Sequence, residues 1–168
     1  MGEQMQRPIT VLIVTALCLS VWKPVLALPP LSQQDNVRET VLRYLFKKYR
    51  HVPDVQVYFI SGGYVKPGIG GRERDLSDAL MGRFGANVPA VRRVSRKIVS
   101  GYGFRDKVTG ASGIVFLIND ILRMDKNSAT VDAEVFTGAV MQATEAKYDL
   151  NYDGLRWKVI KEYDATST

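Results

Sequence analysis

The chain has 168 residues, of which 46% are apolar and 24% charged, and it carries a formal net charge of +6. These values are ordinary for a globular protein and exclude a disordered, collagen-like or disulfide-dense chain. The charge excess is too small and too dispersed for a dedicated nucleic-acid-binding protein, so we expect no nucleic-acid partner.

An uncharged, mostly apolar run occupies residues 9–21, between Arg7 and Lys23. It suits the hydrophobic segment of an export signal and is shorter than the roughly 20 residues of a membrane-spanning helix. Small residues at the −3 and −1 positions predict cleavage after Ala27. We therefore expect a signal peptide at residues 1–27 and export to the periplasm or the cell exterior. An uncleaved N-terminal anchor is the alternative, and it is the one way in which we expect membrane contact.

The single cysteine, Cys18, lies inside this run, so the mature domain has no disulfide and no thiolate chemistry. Removing the signal takes away two cations and one acid and leaves a net charge of +5. The rest divides into a linker at residues 28–34, one domain at 35–163 and a tail at 164–168. A domain of about 140 residues is large enough to be held by its core alone.

A helix is expected directly after the linker. Apolar residues recur at spacings of three and four over residues 35–50, which is the pattern of one buried helical face. Ser32 and Asp35 occupy capping-box positions at its start, and Pro53 ends the helical segment.

The middle of the chain alternates between loops and short elements. Residues 55–60 are rich in β-branched and aromatic side chains and predict a strand. A loop with five glycines over residues 62–75 then leads to a short helix over residues 75–84. Residues 88–99 predict a second strand, which is followed by a polar loop over residues 100–112.

The remaining chain is predicted to form strands. Residues 113–122 are apolar on both faces at their start, which places this strand centrally in the sheet. Residues 129–136 and 145–152 alternate between apolar and polar side chains, so one face of each strand is buried. The polar face is expected to carry the acids Asp132, Glu134, Glu145 and Asp149.

The last hairpin has the most specific signal. Asp153-Gly154 matches a two-residue turn that needs positive φ. This turn predicts a register with Asp149 opposite Lys158 on the polar face. The inward pairs of the same register are Tyr152–Leu155, Leu150–Trp157 and Tyr148–Val159.

The order is helix, strand, helix and then four or five hairpin-linked strands. Segregated helices followed by consecutive strands are typical of an α+β fold. We predict a curled antiparallel sheet of about five to six strands wrapped on the N-terminal helix.

Several strings resemble small exported proteins of the NTF2-like/cystatin-like superfamily. They are DLSDALMGRF (75–84), VPAVRRVS (88–95), RDKVTGASGIVFLI (105–118) and ATVDAEVFTGAV…AKYDLNYDGLRWKV (129–159). The resemblance covers residues 37–162 and implies a cone-shaped sheet around the helix. The superfamily includes isomerases, dehydratases, ligand carriers and adaptor domains, so the fold does not assign a function.

Enzymes of this superfamily use acid–base residues, commonly Asp, His or Tyr, inside the cone. In this chain the only histidine, His51, is expected at a helix end, and the sheet acids are expected on the polar face. His51 is the one histidine that a serine could use in a catalytic triad, so we expect no triad. No spacing of Cys, His or carboxylate residues indicates a zinc site. We therefore assign no catalytic residue, no metal site and no cofactor.

Two motifs match ligand-binding patterns only in part. Residues 149–154 (DLNYDG) resemble the first half of a calcium loop, but its twelfth position is Ile160 instead of an acid. The glycines of residues 68–71 lack the Gly-Lys-Ser/Thr of a phosphate-binding loop. They indicate a loop that can cover a cavity.

Two candidate binding surfaces remain. One inward face is either core or the aromatic lining of a pocket in the cone, and it comprises Tyr148, Leu150, Tyr152 and Trp157. A basic stretch is either a solubilising strand edge or a contact for an anionic partner, and it comprises Arg92, Arg93, Arg96 and Lys97.

We expect an exported, non-enzymatic domain that binds a small apolar or amphipathic ligand in the cone or a protein partner on the sheet. One alternative is a hydro-lyase or isomerase of the NTF2-like type with an inward acid–base residue. A second alternative is a subunit of a cell-envelope complex.

Overall fold

The computed structural model describes residues 32–64, 73–101, 103–138 and 143–164. The expected signal peptide, most of the linker, the centre of the glycine-rich loop and most of the tail lie outside these ranges.

The domain is α+β, with one main helix and a large curled, unclosed sheet. The main helix is α1 (Gln33–Tyr49), and a short second helix is α2 (Asp78–Gly82). A single 3-10 turn spans Val94–Arg96. The strands are β1 (Val57–Ser61), β2 (Ala90–Arg93), β3 (Lys97–Ser100), β4 (Gly103–Asp106), β5 (Ser112–Met124), β6 (Ser128–Phe136), β7 (Ala143–Tyr152) and β8 (Trp157–Asp164).

Eight strands form one mixed sheet in the order β2-β1-β5-β6-β7-β8, with the β3–β4 hairpin joined to β5 through β4. β1 runs parallel to both β2 and β5, and the other pairs are antiparallel. The predicted antiparallel sheet of five to six strands is therefore wrong in strand number and in direction. The long connection through α2 allows β2 to return beside β1 in the same direction, as a parallel pair requires.

Local hydrogen bonds set where the two helices begin. The Ser32 side chain accepts a hydrogen bond from the Asp35 N–H at 3.1 Å, which confirms the expected cap and starts α1 at Gln33. The Ser77 side chain accepts one from the Leu80 N–H at 3.2 Å. This second cap starts α2 at Asp78, and the helix ends at Gly82, so the helix expected over residues 75–84 is shorter than predicted.

β5 lies between β1 and β6 and has 13 residues, which confirms its central position. Its first half is buried on both faces. At Gly113 an added Cβ would lie 2.4 Å from the Val57 carbonyl oxygen. The close approach of β1 to β5 therefore requires a residue without a side chain at this position.

α1 packs its apolar face across one side of the sheet. The Phe46 ring lies 4.8 Å from the Tyr58 ring, 5.1 Å from the Phe116 ring and 5.5 Å from the Phe84 ring, measured between centroids. These four side chains are each at most 6% exposed. The space between helix and sheet is filled there by aromatic rings.

The opposite side of the sheet has a smaller apolar cluster. The 3-10 turn and the β3–β4 hairpin cover it. The expected strand over residues 88–99 is thus divided into β2 and β3, and the expected polar loop over residues 100–112 contains β4. The buried members of this cluster are Val57, Phe59, Val94, Phe104 and Val115.

The last hairpin differs in register from the prediction. The observed pairs are Tyr152–Trp157, Asn151–Lys158 and Leu150–Val159. The partner strand is shifted by two residues, so the inward and outward faces are preserved although the predicted pairs are wrong.

Asp153 explains this shift. Its carboxylate accepts hydrogen bonds from the N–H groups of Leu155 and Arg156 at 3.0 and 2.9 Å, and it lies 2.6 Å from the Lys158 ammonium. These contacts hold Leu155 in the turn, where it is 89% exposed instead of facing inward. They also place Lys158 beside Asp153 and away from Asp149.

Candidate functional site

The four residues expected to line a pocket fall into two environments. Tyr148 and Leu150 are 2% and 1% exposed within the core between α1 and the sheet. Tyr152 and Trp157 line a cleft of about 440 Å³ between α1 and the tip of the last hairpin, although Trp157 is itself only 6% exposed and also belongs to the core. The structure therefore brings two of the four to a cleft, and that cleft opens to solvent outside the space between α1 and the sheet.

The space between α1 and the curled sheet is occupied by packed side chains. Five apolar residues of α1 that face the sheet are at most 6% exposed, Tyr44 and Tyr49 pack beside them as partly buried residues, and the sheet residues opposite are buried as well. The clefts of about 440, 270 and 490 Å³ formed by described residues open to solvent at the surface. These three clefts therefore lie outside the core.

An acid of β8 faces α1, and no pattern in the sequence predicts it. β8 contains a bulge between the pairs Leu150–Val159 and Asp149–Lys161, which leaves Ile160 as an extra residue. A bulge reverses the alternation of faces along a strand. Glu162 therefore lies opposite Tyr148 and faces inward.

Glu162 receives three hydrogen bonds. The Lys48 ammonium donates to Oε1 at 2.6 Å, the Tyr148 hydroxyl donates to Oε1 at 3.0 Å, and the Tyr44 hydroxyl donates to Oε2 at 3.0 Å. Partial burial alone would raise the pKa of Glu162, but these donors outweigh it and lower that pKa. The donors come from α1 and β7, so the acid joins the helix to the last two strands.

The tyrosines of this cluster are also held in one protonation state. Burial, together with the negative charge of Glu162, raises the pKa of Tyr148 far above its usual value. The same two causes raise the pKa of Tyr44. A carboxylate kept anionic beside two neutral phenols, with three hydrogen bonds already accepted, is a poor proton acceptor and a poor proton donor near neutral pH.

The sheet acids lie on the face opposite α1, as expected, because the alternate residues Val131, Ala133 and Val135 are buried in the core. Glu134 is partly buried, and its partner across β6 and β7 is Glu145. Burial raises the pKa of Glu134, while a hydrogen bond from the Asn119 amide partly offsets this effect.

The basic stretch does not form one patch, because the 3-10 turn interrupts the expected strand. Arg93 forms an ion pair with Asp78 and also donates to the Leu76 carbonyl. The Lys97 ammonium lies 2.6 Å from the Glu73 carboxylate. Each of these cations thus joins its own element to a different neighbour.

Arg92 and Arg96 converge on one buried acid. The Arg96 guanidinium lies 2.8 Å from Asp106 Oδ1, and Arg92 Nε lies 3.7 Å from Oδ2. Asp106 also accepts hydrogen bonds from the N–H groups of Val108 and Thr109, and its side chain has no exposed surface. Burial alone would raise the pKa of Asp106, but Arg96 and the two N–H groups lower it.

The structure explains one of the two partial ligand motifs. Residues 149–154 run along β7 into the turn, where Asp153 bonds to its own hairpin and Asp149 accepts from Thr130 and Tyr163. The described residues hold no group of three or more His, Cys, Asp or Glu side chains arranged for a metal ion. The glycines of residues 68–71 lie outside the described ranges.

The two clefts beside α1 share one residue. Arg43 lines the cleft of about 440 Å³ at the hairpin tip and the cleft of about 270 Å³ near Val88. Arg43 pairs with Glu39 at 2.8 Å, donates to the Arg83 carbonyl and lies over the Phe84 ring at 5.1 Å. These contacts hold its guanidinium at the junction of the clefts.

This groove surface beside α1 was not predicted from the sequence. Its charges belong to the polar face of an amphipathic helix, which is ordinarily only solvated. The available signal was the recurrence of polar residues at positions 36, 40, 43, 47 and 50, but nothing in the sequence indicated which elements flank that row.

The chain was compared with family models, curated proteins and solved structures, and none of the three comparisons found a match. Within the described ranges, no helix is both long and apolar enough to span a membrane.

Proposed function

We propose that the chain is an exported, non-enzymatic domain that binds a protein partner at its surface. The observation that carries this proposal is the contrast between a filled interior and an open groove beside α1. Ligand sites are concave and need unoccupied volume, and the described volume lies at the surface. A small ligand inside the cone is the less supported form of binding.

The contacts of Glu162 support a non-enzymatic role. A general base must offer a free lone pair close to a reacting proton. Glu162 instead receives hydrogen bonds from Lys48, Tyr44 and Tyr148, and its pKa is lowered. A hydro-lyase or isomerase would need this acid to exchange those partners for a substrate.

We also propose an NTF2-like/cystatin-like cone as the finer description of the fold. A curled sheet whose strands β5 to β8 face a single long helix supports this assignment. Export rests on the apolar run at residues 9–21 and the expected cleavage after Ala27.

Native mass spectrometry of the chain purified from the envelope of its own host tests these proposals together. We expect the mass of residues 28–168, without a stoichiometric small molecule and with a larger complex at low salt. A bound small molecule at one copy per chain would contradict the surface-binding role. A mass that includes residues 1–27 would contradict cleavage and favour the anchor.

A further inference from the structure

A row of polar side chains runs along the exposed side of α1. Its members are spaced by three or four residues and therefore share one helical face. From first to last the row covers about 21 Å at 1.5 Å per residue. The row, which we call the α1 stripe, comprises Asn36, Thr40, Arg43, Lys47 and Arg50.

The α1 stripe forms the floor of a groove. At its N-terminal end the wall is the hairpin tip, which contributes Tyr152, Leu155 and Arg156. At its C-terminal end the wall is the segment before β2, which contributes Asn87 and Val88. Because Arg43 lines both clefts, the two are continuous along the helix.

The groove is basic. Its lining contains four cations and a single acid, Glu39, and that acid already pairs with Arg43. Of the other cations, Lys47, Arg50 and Arg156 make no ion pair with a described acid. A net charge of +3 is therefore left for an anionic partner to neutralise.

Helix polarity accounts for only part of this charge. Basic side chains at the C-terminal end of a helix offset its dipole, and that explanation applies to Lys47 and to Arg50 at the C-cap. Arg43 is more than a turn away from the helix end, and Arg156 belongs to another element.

Exposed apolar side chains stand at the two ends of the groove. Val88 is 92% exposed and Leu155 is 89% exposed, the highest values among the large apolar residues described. Single exposed apolar residues are common on protein surfaces. Here they flank the basic floor, which gives the groove an apolar contact at each end.

We propose that this groove binds an extended acidic peptide segment of a protein partner, a step that rests on the surface-binding role proposed above. Alternate residues of an extended peptide are about 6.7 Å apart, and Arg43 and Lys47 are about 6 Å apart along the helix axis. Acids at alternate positions therefore match the cations of the α1 stripe. A segment of about seven residues covers the groove and places an apolar residue at each end.

Fluorescence anisotropy with the full chain tests this proposal. The probe is a labelled peptide with glutamates at alternate positions and one leucine at each end, and its lysine counterpart is the negative control. We expect saturable binding of the acidic peptide that weakens at least about tenfold between 50 and 300 mM salt, since the contacts are exposed charges.

Charge reversal locates the site. The double variant Lys47→Glu/Arg50→Glu should weaken binding at least about tenfold, as expected when like charges replace opposite charges. The double variant Lys126→Glu/Lys147→Glu makes the same change in net charge at exposed positions outside the groove, and it should bind nearly as well as the parent. Equal weakening by both variants would overturn the proposal, because binding would then follow net charge alone.

A second matched pair of variants tests the apolar ends of the groove. Leu155→Ser should weaken binding several-fold, whereas Ile160→Ser, at a residue 66% exposed and outside the groove, should leave it unchanged. Circular dichroism melts of all variants check that the fold is retained, since every substituted side chain is exposed or partly exposed.

Anionic vesicles of phosphatidylglycerol and phosphatidylcholine complete the test. Binding of these vesicles that is lost in Lys47→Glu/Arg50→Glu, without peptide binding, would overturn the peptide assignment in favour of a lipid surface. Failure of both probes, with no small molecule found by native mass spectrometry, would overturn the groove assignment and leave the surface-binding role standing.

Discussion

The side of the sheet that meets α1 and the side that meets the β3–β4 hairpin are covered by different kinds of contact. On the α1 side a continuous apolar cluster extends from β1 to β8 and contains most of the aromatic stacking. On the hairpin side the apolar cluster is small, and the buried acid Asp106 holds the covering elements through Arg92 and Arg96. The first side depends on the hydrophobic effect, while the second also depends on charge and therefore on pH.

The α1 side should be the more sensitive to loss of volume. Phe116 has no exposed surface and its ring contacts Phe46, Tyr58 and Tyr49. We expect Phe116→Ala to lower the free energy of unfolding by about 3–5 kcal/mol, measured by urea denaturation. The control is Leu122→Ala on the same strand, at a residue 53% exposed, which should change it by less than about 0.5 kcal/mol.

The hairpin side should be the more sensitive to loss of charge. Asp106→Asn removes the counterion of two guanidinium groups that are themselves partly exposed. We therefore expect the free energy of unfolding, measured by urea denaturation at pH 7, to fall by about 2 kcal/mol. A loss below about 0.5 kcal/mol would show that the hairpin is held by apolar contacts alone. Asp132→Asn, at a half-buried acid on the open part of this side, is the control.

The same acid predicts a pH dependence. Because the folded state lowers the pKa of Asp106, its contribution is present above the unfolded value of about 3.9 and is lost as the pH falls through the folded value. Denaturation curves between pH 6 and 2 should therefore show that the free energy of unfolding falls more steeply with falling pH for the parent than for Asp106→Asn. Parallel curves would contradict the assignment of the acid-sensitive contact to Asp106.

The Glu162 cluster is a charged contact that joins α1 to the sheet, and a smaller effect is expected there. Glu162→Gln keeps an acceptor for the tyrosines but loses the ion pair with Lys48, so we expect the free energy of unfolding to fall by about 1 kcal/mol. Alkaline absorbance titration provides the second readout, because the raised pKa of Tyr148 should delay its ionisation until the chain unfolds. Tyr148→Phe should remove one late-titrating tyrosine, and an unchanged titration would contradict the contact.

The smallest effects should distinguish two cross-strand pairs on the open part of the sheet. Glu134 lies opposite Glu145, whereas Asp132 lies opposite Lys147. We expect Glu134→Gln to stabilise the chain by a few tenths of a kcal/mol at pH 7 and Asp132→Asn to destabilise it by a similar amount. Since the folded state raises the pKa of Glu134, the gain should vanish as the pH falls below its unfolded value.

Elements that depend on local patterns were predicted from the sequence. α1, its Ser32 cap and the alternation along β6 and β7 follow from the spacing of apolar residues, which reports directly on burial. The central position of β5 follows from its apolar residues on both faces. Each of these features is decided within a few residues of the chain.

Features that depend on distant partners were missed. The parallel pairing of β1 is set by a crossover, and the burial of Asp106 is set by arginines from another element. The inward position of Glu162 follows from a bulge at Ile160, and the exposed Leu155 follows from the Asp153 side chain. Neither the groove beside α1 nor its charge could be predicted, because α1, the hairpin tip and the segment before β2 meet only in the fold.

Methyl NMR of the full chain during titration with the acidic peptide tests the central claim, which is that the interior is structural and the α1 groove binds. We predict that the methyl signals of Val88 and Leu155 move saturably, while those of Ile118 and Leu150, each 1% exposed in the core, stay in place. Shifts that concentrate on Ile118 and Leu150 and leave Val88 and Leu155 unchanged would contradict the account.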